Sequence, residues 1–182
     1  MNEKWDTNDS FSYKRMYKRH PAIWKFVNSF VKDENITSVL DVGCGMHQLY
    51  QFSGDWAGID VNPKIQNNKI IKADFLEYSF NREFNTVLIM GVVEHYLCEH
   101  LKQFIKKSLE VNPEYVLIGL FTGIREKGHK RKTIVGRHRI YSLTEYGKDT
   151  FENIFKELGI EDFQIKELSK TDIVIIIRRK KI

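Results

Sequence analysis

Cysteine is nearly absent: Cys44 and Cys98 are the only two in 182 residues. Two thiols make no disulfide framework, although a lone pair can still bridge, and a reducing compartment, the cytoplasm, is the expectation. Proline is scarce, at 3, and the 11 glycines follow no period, which excludes collagen-like and low-complexity chains. No run of about 18 apolar residues occurs, so no membrane-spanning helix is expected. The N-terminal stretch carries charges throughout and lacks an apolar core, so no secretory signal is expected either. Nor is there an excess of one charge: 29 Lys+Arg oppose 24 Asp+Glu, and 42% of the chain is hydrophobic, which excludes disorder. The length fits one domain, residues 1–182, that buries roughly 70% of the unfolded surface.

The charge that is present is segregated. Residues 11–32 carry Lys14, Arg15, Lys18, Arg19, Lys25 and Lys32 with no acid, a balance of +6. Residues 125–139 carry Arg125, Lys127, Lys130, Arg131, Lys132, Arg137 and Arg139 against Glu126, again +6, leaving −7 on the rest. Where the two basic segments meet they would make a positive surface for phosphate or carboxylate; as separate faces they would merely be solvated.

Short apolar runs recur along the chain, at Ser38–Val42, Trp56–Ile59, Lys69–Lys72, Thr86–Met90 and Tyr115–Leu120. Phe163–Leu168 alternates as a half-buried strand does, and Ile173–Ile177 reads as a fully buried one. Between them lie helical patterns. Apolar residues spaced by three and four run from Phe11 to Val31, broken at His20-Pro21, where proline can open a second helix. Leu101, Phe104, Ile105 and Leu109 share a face, ended by Asn112-Pro113. A further helix is expected over Leu143–Leu158, with Ser142 as N-cap and Gly159 as stop. The pattern predicts an α/β fold, a three-layer αβα sandwich on a mainly parallel seven-stranded sheet. The last two strands are joined by only Ser169–Asp172, too short for a parallel crossover, so the sheet must end in an antiparallel hairpin.

Ligands of such sheets bind beyond the strand carboxyl ends, and there the sequence places a consistent set of residues. Asp41-Val42-Gly43-Cys44-Gly45 makes a glycine turn, which lets backbone approach a ligand closely. Asp60 ends the second run, 19 residues on, and a carboxylate there can accept from two ribose hydroxyls. Asp74 can accept from an adenine amino group, with Phe75 or Val61 against the ring, and Met90-Gly91 closes the pocket below.

These residues resemble the class I, Rossmann-like S-adenosylmethionine-dependent methyltransferases. Val39–Gly45 is similar to that family's glycine motif, Gly58-Ile59-Asp60 to its ribose-binding acid, Ala73-Asp74-Phe75 to its adenine-side motif and Val92-Val93-Glu94-His95 to its segment after the fourth strand. The motif resemblance runs from Val39 to Phe121, and the terminal hairpin extends it to nearly the whole chain. It implies S-adenosyl-L-methionine as cofactor, held by Asp41, Gly43, Cys44, Gly45, Asp60, Val61, Asp74, Phe75, Met90 and Gly91. It also implies that residues 11–32 form a helical lid and 122–141 a basic acceptor-side loop. The chain departs from the family at His47, where a small residue is common, and in the short interval from Asp41 to Asp60, which trims the first helix by about one turn.

A nicotinamide dehydrogenase is the rival, but its fingerprint needs a third glycine, and Met46-His47-Gln48 follows Gly45. Asp41 would also repel a pyrophosphate, whereas the sulfonium and ammonium of S-adenosylmethionine favour a carboxylate. For the transfer itself the candidate bases are His95 and Glu94. Glu94, His95, Cys98, Glu99 and His100 are close in sequence, but no third metal ligand follows at characteristic spacing, and Gly91 stands where a metal-using pattern would need a carboxylate, so no metal is expected. The expected partner is a small or medium, anionic or phosphate-bearing acceptor, with no membrane. The alternatives are an RNA-directed enzyme using both basic segments and a non-catalytic cofactor-binding scaffold.

Overall fold

The structure, a computed structural model, describes residues 20–45, 52–63, 67–135 and 140–179. Pro21 opens helix α1 (Pro21–Asp33), where its fixed φ suits the first turn and its missing N–H costs nothing. The residues of that stripe within α1, Ile23, Trp24, Val27 and Phe30, are its buried face. Residues 11–19, the first part of the expected lid, lie outside the described residues. Strands β1 (Ser38–Val42), β2 (Asp55–Asp60) and β3 (Ile70–Lys72) follow, then β4 (Thr86–Met90), a 3-10 turn (Val93–His95), α2 (Cys98–Glu110) and β5 (Tyr115–Leu120). The chain continues through β6 (His129–Val135), β7 (Ile140–Tyr146), α3 (Lys148–Leu158), β8 (Phe163–Glu167) and β9 (Ile173–Arg178).

Seven strands form one sheet in the order β3-β2-β1-β4-β5-β9-β8. The first five are parallel, and β9 runs antiparallel to both β5 and β8. Period-two alternation divides the core between two faces. Leu88, Leu117, Val174 and Ile176 pack against α1. Val87, Ile89, Val116, Ile118, Ile175 and Ile177 pack with Leu101, Phe104 and Ile105 of α2 and Phe151, Ile154 and Phe155 of α3. With helices on both faces, the central strands must be apolar throughout, as β4 and β5 are. Both cysteines are free thiols.

Two expectations require correction. Of the stretch 122–141, expected as a basic acceptor-side loop, residues 129–135 and 140–141 are strand: β6 and β7 pair as an antiparallel ribbon from His129↔Tyr146 to Val135↔Ile140. The expected helix over Leu143–Leu158 begins only at Lys148, with Gly147 at its N-cap in place of Ser142. Leu143 and Tyr146 are three apart, a helical spacing, so the pattern alone pointed to a helix. Docking decided it: alternate residues Thr144 and Tyr146 are buried, and both hydroxyls donate to backbone carbonyls just past β4.

Phe104 shows where the stability resides. It is buried on α2, stacked on Phe75 at 5.7 Å and in contact with Tyr96 at 4.9 Å. Phe104→Ala is expected to cost about 3–5 kcal/mol, read as a lower urea midpoint at unchanged slope.

Candidate active site

β1 ends at the switch point, flanked by β2 on one side and β4 on the other. The amides of Gly43 and Cys44 both donate to the Ile59 carbonyl, at 2.8 and 3.3 Å, so the glycine turn folds back over the end of β2. Gly43 has φ +69, and a Cβ there would lie 2.3 Å from Val92 Cγ2. Asp60 joins the turn to the next loop: its Oδ2 accepts from the Gly45 amide at 2.9 Å and its Oδ1 from the Asn62 amide at 2.7 Å. Each oxygen of the fixed carboxylate keeps lone-pair capacity for a ligand hydroxyl. The Asp60 carbonyl accepts from Ala73, which sets the start of the Asp74 turn, and Asp74 accepts from the Leu76 amide.

The field at this edge is negative. The Cys44 thiol is pushed well up by burial, then by Asp41 and by Asp60. The Tyr96 hydroxyl is raised by burial and then by Asp74 and Asp60. Asp41, buried on β1, Asp60 and Asp74 therefore act on one neighbourhood. The pair expected for the ring divides: Val61 is 45% exposed, whereas Phe75 is 4% exposed and stacked into the core on Phe104. The Phe75 ring packs between Phe80 and Phe104.

Beyond β4, Gly91 has φ +68 and its amide donates to Gly119. A Cβ on Gly91 would lie 2.3 Å from the Phe121 ring, and one on Gly119 would lie 2.4 Å from the Met90 sulfur. Glu94, 2% exposed, accepts from the Phe121 amide at 2.8 Å and so ties the ends of β4 and β5 together. His95 is half-buried, and its carbonyl accepts from Arg131. Arg131 also donates to Tyr96 O and Thr144 Oγ1, so the β6–β7 ribbon grips the turn by the Arg131 guanidinium and the hydroxyls of Thr144 and Tyr146. Other cations of the basic stretch are paired on the ribbon itself, Lys132 and Arg125 with Glu145. Its remainder at 136–139 lies outside the described residues.

Sequence reasoning missed one pair at this edge. His20 Nδ1 lies 2.6 Å from Asp172 Oδ1, and the His20 ring stacks on Phe121 at 4.3 Å and 19°. Asp172 sits in the link before β9, where the sequence signals only a short connection. No motif or spacing relates it to a residue 152 positions away.

Burial pushes Glu94 from the usual value near 4.5 up to about 7, against the donors from Thr122 and Phe121. A raised acid binds its proton more tightly in the folded state, so its stabilising effect is complete below about 4.5 and lost as pH rises to about 7. Glu94→Gln is expected to remove a slope of at most about 1.4 kcal/mol per pH unit across that window, measured by urea denaturation of both proteins. Identical slopes would place the carboxyl in water.

No family model and no curated relative matches the chain. Solved structures do. The 1,6-didemethyltoxoflavin-N1-methyltransferase of Burkholderia thailandensis, solved with S-adenosylhomocysteine, superposes with TM-score 0.65 at 11% identity, over 92% of this chain and 82% of that one. A sugar N-methyltransferase from Streptoalloteichus gives 0.64 at 14% identity, over 93% of both chains. Magnesium protoporphyrin IX methyltransferase from Synechocystis, with S-adenosylmethionine bound, gives 0.61 at 16% identity, over 96% and 87%. With its sheet order and terminal antiparallel pair, the chain has the fold of the class I, Rossmann-like S-adenosylmethionine-dependent methyltransferases.

Proposed function

We propose that this protein is an S-adenosylmethionine-dependent methyltransferase acting on a small-molecule acceptor. The observation that carries the reading is the acidic, backbone-anchored edge formed by Asp41, the Gly43–Gly45 turn, Asp60 and Asp74. Its chemistry suits a nucleoside with a cationic end and rejects a pyrophosphate. The cofactor would supply an activated methyl on sulfur, so the protein need only align and desolvate the partners.

In this reading Asp60 holds the ribose diol, and Asp41 faces the cationic end of the ligand. Asp74 meets the adenine amino group, and Val61 covers the ring. Gly43, Cys44 and Gly45 let backbone lie against the ligand, and Met90 and Gly91 form the floor beneath it. Glu94, committed to the Phe121 amide, holds the turn in place, and His95 lies beside it. Neighbours of this fold act on toxoflavin precursors, sugars and magnesium protoporphyrin. The exposed basic face of β6, where Lys130 stands beside the Lys132–Glu145 pair, favours an anionic acceptor arriving from that side.

Titration calorimetry with S-adenosylhomocysteine tests the cofactor assignment. Wild type is expected to bind, and Asp60→Ala to lose about 1–3 kcal/mol, roughly 5- to 150-fold in affinity. A folded wild type that binds neither the product nor S-adenosylmethionine would refute the reading and the cofactor-binding scaffold with it. The same basic face keeps an RNA acceptor as the second reading. A single-stranded RNA oligomer is expected to bind weakly. Tight binding with a steep loss between about 50 and 200 mM salt would favour RNA instead.

A further inference from the structure

We propose that His20, oriented by Asp172, is the group that takes the proton from the methyl acceptor; this rests on the methyltransferase reading above. His20 occupies the N-cap position of α1, yet its side chain makes no capping hydrogen bond. Its Nδ1 lies 2.6 Å from Asp172 Oδ1, and its ring lies flat on Phe121. Asp172 is 3% exposed, whereas the His20 side chain keeps 16% of its surface open. An ionised Asp172 makes Nδ1 the donor and leaves Nε2 as the ring's acceptor, the arrangement by which a buried carboxylate orients an imidazole for general-base work.

The pair stands on rigid supports. The Asp172 amide donates to Ser169 Oγ, and its carbonyl accepts from Leu168 and Ser169, which fixes the link before β9. Phe121, the platform for the ring, is itself fixed by Glu94 through its amide. The position also adjoins the cofactor edge. Gly43 abuts Val92, and Gly91, next in sequence, abuts the Phe121 ring on which His20 stacks. A group seated there would meet an acceptor presented to the ligand's methyl.

The acceptor class follows. A base is needed only for a nucleophile that still carries a proton, a hydroxyl or an ammonium. For a hydroxyl, the oxygen attacks the methyl carbon as its O–H electrons become the attacking pair. The O–C bond forms, and the C–S electrons return to sulfur, leaving a neutral thioether. The proton passes to His20 Nε2, so the positive charge that leaves sulfur appears on the imidazolium, opposite Asp172. In this scheme His20 is catalytic and Asp172 is a positioning residue.

Diethyl pyrocarbonate, which acylates unprotonated imidazole nitrogen, provides the test, with each histidine followed by peptide mass spectrometry on the full chain. His20 is expected to react, and saturating S-adenosylhomocysteine to slow that reaction at least five-fold. Asp172→Asn, which keeps the shape, should slow acylation of His20 several-fold while product affinity stays within two-fold. With a hydroxyl or amine acceptor that is turned over, His20→Gln should lower kcat by a hundred-fold or more at unchanged KM for S-adenosylmethionine. A protein that binds the product but shows no protection at His20, or protection at His95 instead, would overturn the assignment and leave the cofactor reading standing. A folded protein that does not bind the product overturns both. If Asp172→Asn fails to fold, the protection measurement on wild type still decides.

Discussion

The Asp60 carboxylate is the constraint on which the rest of the ligand edge depends. Its two oxygens hold the amides of Gly45 and Asn62, so one side chain fixes the loops after β1 and β2 together. The described ends of both loops carry backbone polar groups that must be satisfied somewhere. Without the carboxylate, the glycine turn would keep its bonds to Ile59 but lose the tie between Gly45 and Asn62. Gly58 belongs to the same device. A Cβ there would lie 2.6 Å from the Cys44 sulfur, so a bare backbone on β2 is what lets the turn close. The residue placed to bind a ligand thus also shapes the surface on which the ligand would lie.

A second clamp, built from different chemistry, holds the far side. The turn after β4 exposes the carbonyls of Val93, His95 and Tyr96, and the β6–β7 ribbon supplies the donors: two hydroxyls and a guanidinium. The base of the ribbon is fixed in turn, because Asp149, in the first turn of α3, accepts from the Gly128 amide. The ribbon therefore cannot shift without disturbing the turn beside the cofactor edge. An acceptor engaging the ribbon's outer cations would be mechanically coupled to the turn after β4.

What was legible follows from how information is distributed along a chain. β1, β4 and β5 were read to the residue because a strand covered by helices on both faces must be apolar throughout, and a short apolar run bounded by polar residues has few other meanings. The antiparallel ending followed from loop length alone. Asp41, Asp60 and Asp74 stand out in the sequence because each lies at or just past the carboxyl end of an apolar run. The ribbon was missed because Leu143 and Tyr146 are three apart, a helical spacing, and Lys- and Arg-rich strands carry little apolar signal. Phe75 was assigned to the ligand because a sequence position cannot say which way a ring points. It faces Phe104.

His20 and Asp172 were beyond sequence reasoning for a related reason. Their relation exists only because the start of α1 and the link before β9 both arrive at the carboxyl edge of β5. The two ends of this edge solve opposite electrostatic problems. On the β1–β2 side, Asp41 and Asp60 leave negative charge that a cationic ligand can neutralise. On the β5–β9 side, Asp172 and Glu94 are both buried within electrostatic reach of each other. Two buried carboxylates cannot both be ionised cheaply without a counter-charge. Glu94 meets the constraint by holding its proton into the neutral range, and Asp172 has His20 at 2.6 Å, where a proton taken up would be its counter-charge. A proton arriving on His20 would therefore enter a place already arranged for positive charge, and its arrival would coincide with the loss of positive charge from sulfur nearby. Net charge across the edge would stay constant through the reaction, which keeps the electrostatic reorganisation within the protein small.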